Sequence, residues 1–238
     1  MDTKTLKANL IQEYKYRIEL HAHTSGASLC SQISPEIMAN KYAELGYDGI
    51  VITNHFIYHD KTDKKEYIDK YLNDYELTKN YGEKLGLTVL LGAEIRFTEN
   101  VNDYLLYGVD TDMLYYIYDL LPYGVENFRR EFKSEKSIFL QAHPFRDNMT
   151  AVDGKLLDGV EVFNMHPGHN SRIGLASRYA MENKLDIITA GTDYHNPGRD
   201  GLAALRCKVL PNDSFAVATI LKSRDYLLEI ARNNIIIP

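Results

Sequence analysis

Short β-branched or apolar segments alternate with longer amphipathic segments along almost the whole chain. The segment 17–21 illustrates the first kind and is followed by a segment of the second kind. In that second segment, Ser34 can cap a helix that has Pro35 at its first position and Gly46 just beyond its end. Such alternation is typical of repeated βα units around a largely parallel sheet. It therefore predicts an α/β fold.

The remaining segments extend the same pattern. Strands are predicted over 17–21, 49–53, 87–95, 103–109, 137–141, 159–163, 187–190 and 205–210. Helices are predicted over 35–45, 63–85, 126–133, 171–183 and 213–232. The turn-like segment 99–102 joins two strands closely, which predicts a hairpin and a local break in the parallel order.

Composition limits the class of protein and its partners. The 238 residues are 45% hydrophobic and 25% charged, which excludes disordered and coiled-coil classes, and no linker divides them, so we expect residues 1–238 to form a single domain. The formal charge of −6 disfavours long nucleic acid as a partner. With no run of about 18 apolar residues and a polar start, the chain is expected to lack a membrane partner and to be cytoplasmic. Two cysteines are too few for a disulfide framework or a cysteine zinc finger.

Histidines mark the ends of the predicted strands. Of the eight histidines, five lie at or shortly after the ends of such strands: His21, His23, His55, His143 and His195. In βα folds the loops at the carboxyl ends of the strands converge on one face, and the chemistry of such proteins lies there. These imidazoles are therefore expected to lie close together.

The ligand types on that face predict a metal centre. Alternating side-chain direction puts His21 and His23 on the same side of their strand, so both imidazoles can face one ion. Glu94 and Asp193 also lie at strand ends, each close after a glycine that allows close approach. Imidazole and carboxylate without thiolate suit Zn, Mn or Fe(II).

Five ordered motifs make the chain resemble the PHP (polymerase and histidinol phosphatase) family of metal-dependent phosphoesterases. They are ELHAHT (19–24), ITNH (52–55), GAE (92–94), AHP (142–144) and GTDYH (191–195). The resemblance spans nearly the whole chain. It implies a TIM-like, distorted seven-stranded (β/α) barrel that carries two to three divalent metal ions. It also implies that a metal-bridging hydroxide attacks the phosphorus of a phosphoester.

The resemblance also implies a role for each matched residue. His21, His23 and Asp193 would bind the first metal ion, and Glu94 would bridge it to a second ion that His143 also binds. His55 and His195 would serve a third ion. Asp193 is in addition the expected catalytic residue, as the proton donor to the leaving oxygen.

The chain departs from the family pattern in three places. The loop TSGASLCSQ (24–32) offers no histidine or aspartate, so only Ser28 or Cys30 could assist His55 and His195 at the third ion. On the fourth strand the expected histidine is missing, and Asp103 is the nearest substitute. Asn54 stands where many members have an aspartate.

Four further residues are candidates for binding a substrate anion. Asn164, His166 and Arg172 follow one strand and precede a helix, a position that suits an anion, although an ordinary loop with a cap at Asn170 is equally consistent. Arg146 follows the AHP motif, so its guanidinium could hold phosphate on the metal face. It could instead pair with Asp147 or Glu161.

The function expected from these features is hydrolysis of a small phosphorylated metabolite by a metal-dependent phosphatase, with small nucleotides left open as substrates. One alternative is an amidohydrolase-type C–N hydrolase, which also uses an H-x-H strand end and a late aspartate. Another is a non-catalytic regulatory protein that binds metal. Neither the substrate nor the oligomeric state follows from the sequence.

Overall fold

The computed structural model describes residues 2–238 and has a mixed α/β architecture. Its strands are β1 (Tyr16–Ala22), β2 (Gly49–Ile52), β3 (His55–Ile57), β4 (Thr88–Leu91), β5 (Ala93–Arg96), β6 (Asp103–Tyr107), β7 (Ile138–Gln141), β8 (Gly159–Asn164), β9 (Ile188–Gly191), β10 (Ala203–Cys207), β11 (Leu227–Ile230) and β12 (Asn234–Ile236). Its α-helices are α1 (Thr3–Glu13), α2 (Pro35–Glu44), α3 (Lys64–Leu85), α4 (Thr111–Leu120), α5 (Gly124–Glu131), α6 (Ile173–Asn183) and α7 (Ser214–Ser223). Among the described residues, no helix combines the length and apolar character needed to cross a membrane.

The strands form two sheets of six. The first sheet has the order β12-β11-β10-β1-β2-β4, in which β1, β2 and β4 run parallel and β10 to β12 pair antiparallel. The second has the order β3-β5-β6-β7-β8-β9, and only β6 runs antiparallel to its neighbours. The predicted α/β class is confirmed, whereas hydrogen bonding divides the strands between two sheets in place of one closed barrel.

The two sheets are joined through the chain itself and through β1. Only two residues separate β2 from β3, and only Gly92 separates β4 from β5. On the other side, the backbone N–H of Asp193 donates to the carbonyl of His21 at 2.8 Å, and Ala22 forms a single bridge with Tyr194. The end of β1 and the loop after β9 therefore lie against each other.

Several sequence-predicted boundaries are confirmed by local chemistry. Asp63 caps α3 by accepting a hydrogen bond from the backbone of Glu66, and Gly86 ends the helix in the left-handed conformation. The predicted hairpin is β5–β6, in which Arg96 stands opposite Asp103.

Two predicted elements are wrong in extent. The strand expected over 87–95 breaks at Gly92, where β4 ends in one sheet and β5 begins in the other. The helix expected over 213–232 stops at Ser223 because Arg224 turns left-handed, and the buried Leu227 and Leu228 then pair with β10. The amphipathic spacing that indicated a long helix is also compatible with this short helix followed by strands.

Two tyrosines one turn apart on α3, Tyr67 and Tyr71, pack against the core behind the metal-ligand face. Tyr71 is fully buried, and its hydroxyl donates to the carbonyls of Gly92 at 2.7 Å and Asn54 at 3.2 Å. The hydroxyl of Tyr67 accepts from the backbone of Ile57 at 2.8 Å. Through these contacts α3 fixes both β3 and the β4–β5 junction.

Gly191 allows β9 to approach β1 at the junction of the sheets. A Cβ at this position would overlap the Cβ of His21 and the Oε1 of Glu161, both of which are buried. We therefore expect Gly191→Ala to lower the free energy of unfolding by about 1–3 kcal/mol. Gly174→Ala is the matched control because its added Cβ meets nothing within 4 Å. Urea denaturation measures both, and equal stability of the two variants would show that the approach at Gly191 is not constrained.

Candidate metal centre

The structure brings together all eight residues that the sequence names as metal ligands. His21 lies near the end of β1, His23 follows it, and Glu94 lies on β5. The others come from β3, β6 and the loops after β7 and β9; they are His55, Asp103, His143, Asp193 and His195. Seven of the eight are buried, and His55 is partly exposed.

Ligand atoms of these residues form four overlapping groups, in each of which all atoms lie within 4.8 Å of one another. The groups are His21–His23–Asp193, His21–Glu94–His143, His23–His55–His195 and His55–Glu94–Asp103. The first group matches the ligands expected for the first ion, and the second joins the expected pair, Glu94 and His143, to His21. For the expected third ion, the structure places His23 beside His55 and His195, the two histidines expected there from the sequence.

The donor atoms fit a bound divalent cation. His21 Nε2, His23 Nε2 and Glu94 Oε2 are buried without a hydrogen-bond partner. His55 Nδ1 is likewise unsatisfied, although it lies 2.7 Å from Glu94 Oε2. Burying such atoms unpaired is costly, whereas imidazole nitrogen and carboxylate oxygen are ligands that Zn, Mn and Fe accept.

Asp193 is held as a carboxylate in an unusual backbone conformation. Its φ is +54°, and that of His143 is +26°, so both non-glycine residues lie in the left-handed region that stores strain at functional sites. Although burial alone would raise the pKa of Asp193, the charge of His21, a hydrogen bond from His195 and the charge of Arg146 hold it well below its usual value. Asp193 is therefore ionised at neutral pH.

Glu161 orients the centre from behind, a role that the sequence analysis missed. Its Oε1 lies 2.8 Å from His21 Nδ1, and its Oε2 accepts from the side-chain amide of Asn164 at 2.9 Å and from the backbone of His143 at 3.2 Å. A carboxylate at the second nitrogen of a ligand histidine fixes its tautomer and ring orientation. A glutamate within the apolar strand GVEVF was the available signal.

Asn54 and Ser28 organise the loop beside the third group. The Asn54 side chain accepts from the backbone of Thr24 at 2.7 Å and from Ser28 Oγ at 3.0 Å, and Ser28 Oγ in turn accepts from the backbone of His55 at 2.9 Å. Ser28 is thus engaged in supporting the loop. Although burial raises the pKa of the Cys30 thiol, hydrogen bonds with His195 and His55 lower it to about 6.

Asp103 lies at the centre and forms an ion pair with Arg96. Its two carboxylate oxygens accept from Arg96 Nε at 2.7 Å and from Arg96 Nη2 at 2.8 Å, and it belongs to one of the four ligand groups. Arg96 is a second residue that the sequence analysis missed. It lies two positions after Glu94 on β5, so strand alternation could have placed both on one face.

Three of the four candidate anion-binding residues lie at the centre. Arg146 pairs with Asp193 and also donates to the side-chain oxygen of Asn164 at 3.1 Å. The ring of His166 lies 5.8 Å from that of His195. Together with the metal-ligand face, Arg146 and His166 line a cleft of about 280 Å³.

Arg172 does not line this cleft, and its expected role in binding substrate stays a prediction. It adopts a left-handed backbone conformation, with φ +46°, at the start of α6. Its partly exposed guanidinium donates to the carbonyl of Phe145 at 2.5 Å and pairs with Asp147. The side chain therefore ties the loop after β7 to α6.

Comparison with known proteins places this geometry in a recognisable fold. No family model matches the chain, and no curated protein matches it significantly. Among solved structures, a two-domain protein from Bacteroides vulgatus that contains a predicted PHP-like metal-dependent phosphoesterase matches with a TM-score of 0.64 and 15% identity, over 91% of this chain and 65% of that protein. PsfC from Pseudomonas syringae matches with a TM-score of 0.56 and 17% identity, over 86% of this chain and 87% of that one. The resemblance to PHP-like metal-dependent phosphoesterases is therefore shown at the level of the fold, and the chain spans 65% of the first structure's length.

The contact between Glu161 and His21 predicts a loss of metal affinity in Glu161→Gln. The neutral amide cannot hold the His21 ring as the carboxylate does, so we expect affinity for Zn(II) to fall about 10- to 100-fold. Competition with a metal-sensitive chelator dye measures this. The control is Glu229→Gln, a buried glutamate whose partners are Arg17 and Arg206 rather than the centre. Equal affinities in the two variants would remove Glu161 from any role in supporting the metal.

Proposed function

We propose that this chain is a metal-dependent phosphoesterase, and more narrowly a phosphatase that acts on a small phosphorylated metabolite. The observation that carries the proposal is the set of buried, unsatisfied imidazole and carboxylate atoms that converges beside a cleft containing Arg146. Metal ligands and a guanidinium on the same cleft suit a phosphate group, which needs its negative charge neutralised.

We infer two to three divalent ions, Zn, Mn or Fe, held by the ligand groups described above. Such ions lower the pKa of bound water and neutralise phosphate oxygens. The ligand chemistry supports this inference because nitrogen and oxygen donors are combined without a required thiolate.

Two residues of the chain would act directly on the substrate. Arg146, held at the cleft by Asn164, would bind a non-bridging phosphate oxygen through its guanidinium. Asp193, which lies at the same face, would take up a proton from the attacking water and then donate it to the leaving alcohol oxygen. His166 lines the same cleft and would border the bound phosphate.

The proposed substrate is small rather than polymeric. The formal charge of −6 gives the protein no long-range attraction for nucleic acid, so positive charge at the cleft must act locally. The cleft volume of about 280 Å³ accommodates a phosphate group and its immediate surroundings.

We also infer that the two sheets are the halves of the distorted seven-stranded barrel that the sequence resemblance implies. Counting the adjoining pairs β2–β3 and β4–β5 as one strand each, the order β1, β2–β3, β4–β5, β6, β7, β8 and β9 returns to β1. The Ala22–Tyr194 bridge and the Asp193–His21 hydrogen bond support closure at this point.

Asp193→Asn tests the proposal. The amide keeps the shape but loses the charge and basicity that the role requires, so we expect hydrolysis of an aryl phosphate with added Mn(II) to fall at least about 100-fold. Thermal unfolding on the same preparation checks that the fold survives. Exposed Asp186→Asn is a matched control, since Asp186 pairs only with the surface residue Arg224.

Each result has a distinct meaning. Near-normal turnover in Asp193→Asn would remove Asp193 from the mechanism. If the metal-loaded parent protein hydrolyses C–N bonds but no phosphoester, the amidohydrolase alternative replaces the phosphatase. If it binds metal and turns over neither class of substrate, the regulatory alternative does.

A further inference from the structure

A second and larger cleft lies beside the metal centre. It has a volume of about 580 Å³ and is bounded by the loop after β1, by β3 and by the first turns of α3. This volume is within the range that holds small organic ligands. The residues that line only this second cleft have no role in the function proposed above.

The second cleft adjoins the first. Cys30, His55 and Arg96 line both of them. A molecule whose phosphate lies at the metal-ligand face therefore has one adjoining space for the group on the other side of its ester oxygen.

The inner wall of the second cleft is apolar and aromatic. Ile57, Tyr67 and Tyr71 line it, and the His59 ring lies 5.2 Å from that of Tyr67. Both tyrosine hydroxyls are engaged with backbone groups, since Tyr67 donates to the His55 carbonyl and Tyr71 donates to the Gly92 carbonyl. Tyr67, which is partly exposed, therefore offers ring surface rather than a free hydroxyl group to a ligand, and Tyr71 lies buried behind it.

The rim of the cleft includes an apolar side chain that is unusually exposed. Leu29 is 87% exposed, although it lies on the loop next to Cys30 and lines the cleft. An exposed leucine is common on a protein surface, but one that borders an aromatic wall can be covered by an occupant.

The charged side chains on the rim indicate what charge a ligand in this cleft can carry. Glu66 and Lys70 both lie on the first turns of α3 and line the outer part of the cleft. Because these two charges are opposite, they favour neither a negative nor a positive charge on the part of a ligand that lies near them. Arg96, whose guanidinium pairs with Asp103, lies at the end of the cleft beside the metal-ligand face.

We propose that the second cleft binds the alcohol portion of the substrate, and that this portion is an uncharged, ring-bearing apolar group. The inference rests on the proposed phosphatase function, and it narrows the substrate class to phosphomonoesters of such alcohols.

The test compares two phosphomonoesters on the protein as purified, with Mn(II) added. For 2-naphthyl phosphate relative to glycerol 2-phosphate, we expect the ratio of kcat/KM values to exceed about tenfold after correction for their leaving-group reactivity in uncatalysed hydrolysis. Leu29→Ser is expected to lower this ratio about fivefold, because apolar contact with the ring is lost. Thr62→Trp, which places a bulky ring at the cleft lining, is expected to lower it further.

Val209→Ser is the matched control, since Val209 is 71% exposed and lines neither cleft. It should leave the ratio unchanged. Calorimetric titration with 2-naphthol supplies a readout that does not depend on turnover, and Thr62→Trp should weaken that binding.

The outcomes separate this inference from the proposed function. If both esters are hydrolysed with equal corrected kcat/KM, or if Leu29→Ser and Thr62→Trp leave the ratio unchanged, the assignment of the cleft is overturned while the phosphatase stands. If no phosphoester is hydrolysed but 2-naphthol binds and Thr62→Trp weakens it, the function is wrong and the cleft still binds an apolar ring. If neither hydrolysis nor binding occurs, both are overturned.

Discussion

The carboxylate of Glu94 is fully buried among four histidines, and the surrounding structure holds these histidines in place to compensate the lost hydration of its charge. Its oxygens lie 2.7 Å from His55 Nδ1, 3.0 Å from His143 Nε2, 3.2 Å from His21 Nε2 and 3.5 Å from His23 Nε2. Burial would raise the pKa of Glu94, but the charges of His21 and His55 hold it well below its usual value. A buried charge of this kind persists only where partners compensate its lost hydration, and a bound cation would provide the strongest compensation.

The elements around Glu94 can be understood as a frame that holds those partners in place. Gly191 allows β9 to bring its loop against β1, and α3 fixes the β4–β5 junction through Tyr71. Glu161 fixes the ring of His21 from the side opposite Glu94. The left-handed conformation of Asp193 is then a local strain that the hydrogen bond to His21 and the contacts with His195 and Arg146 maintain.

The gathering of these histidines and carboxylates could be predicted from the sequence because a strand end is a local feature, visible in short runs such as ELHAHT and GTDYH. The fold class followed from the same alternation of segments. Glu161 was missed because its role arises from a contact with β1, which is distant in sequence. Arg96 pairs with Asp103 across the short β5–β6 hairpin, and strand alternation could have indicated it. The end of the helix at Ser223 depends on a left-handed Arg224 and on pairing with β10, neither of which a periodic pattern specifies.

The central claim is that this buried cluster is a metal centre, and elemental analysis of gently purified protein tests it most directly. The account predicts at least two equivalents of transition metal per chain, because His21, His23, Glu94, His143 and Asp193 remain as ligands even if every other candidate is dropped. A content below one equivalent that added Zn, Mn or Fe does not restore would contradict it.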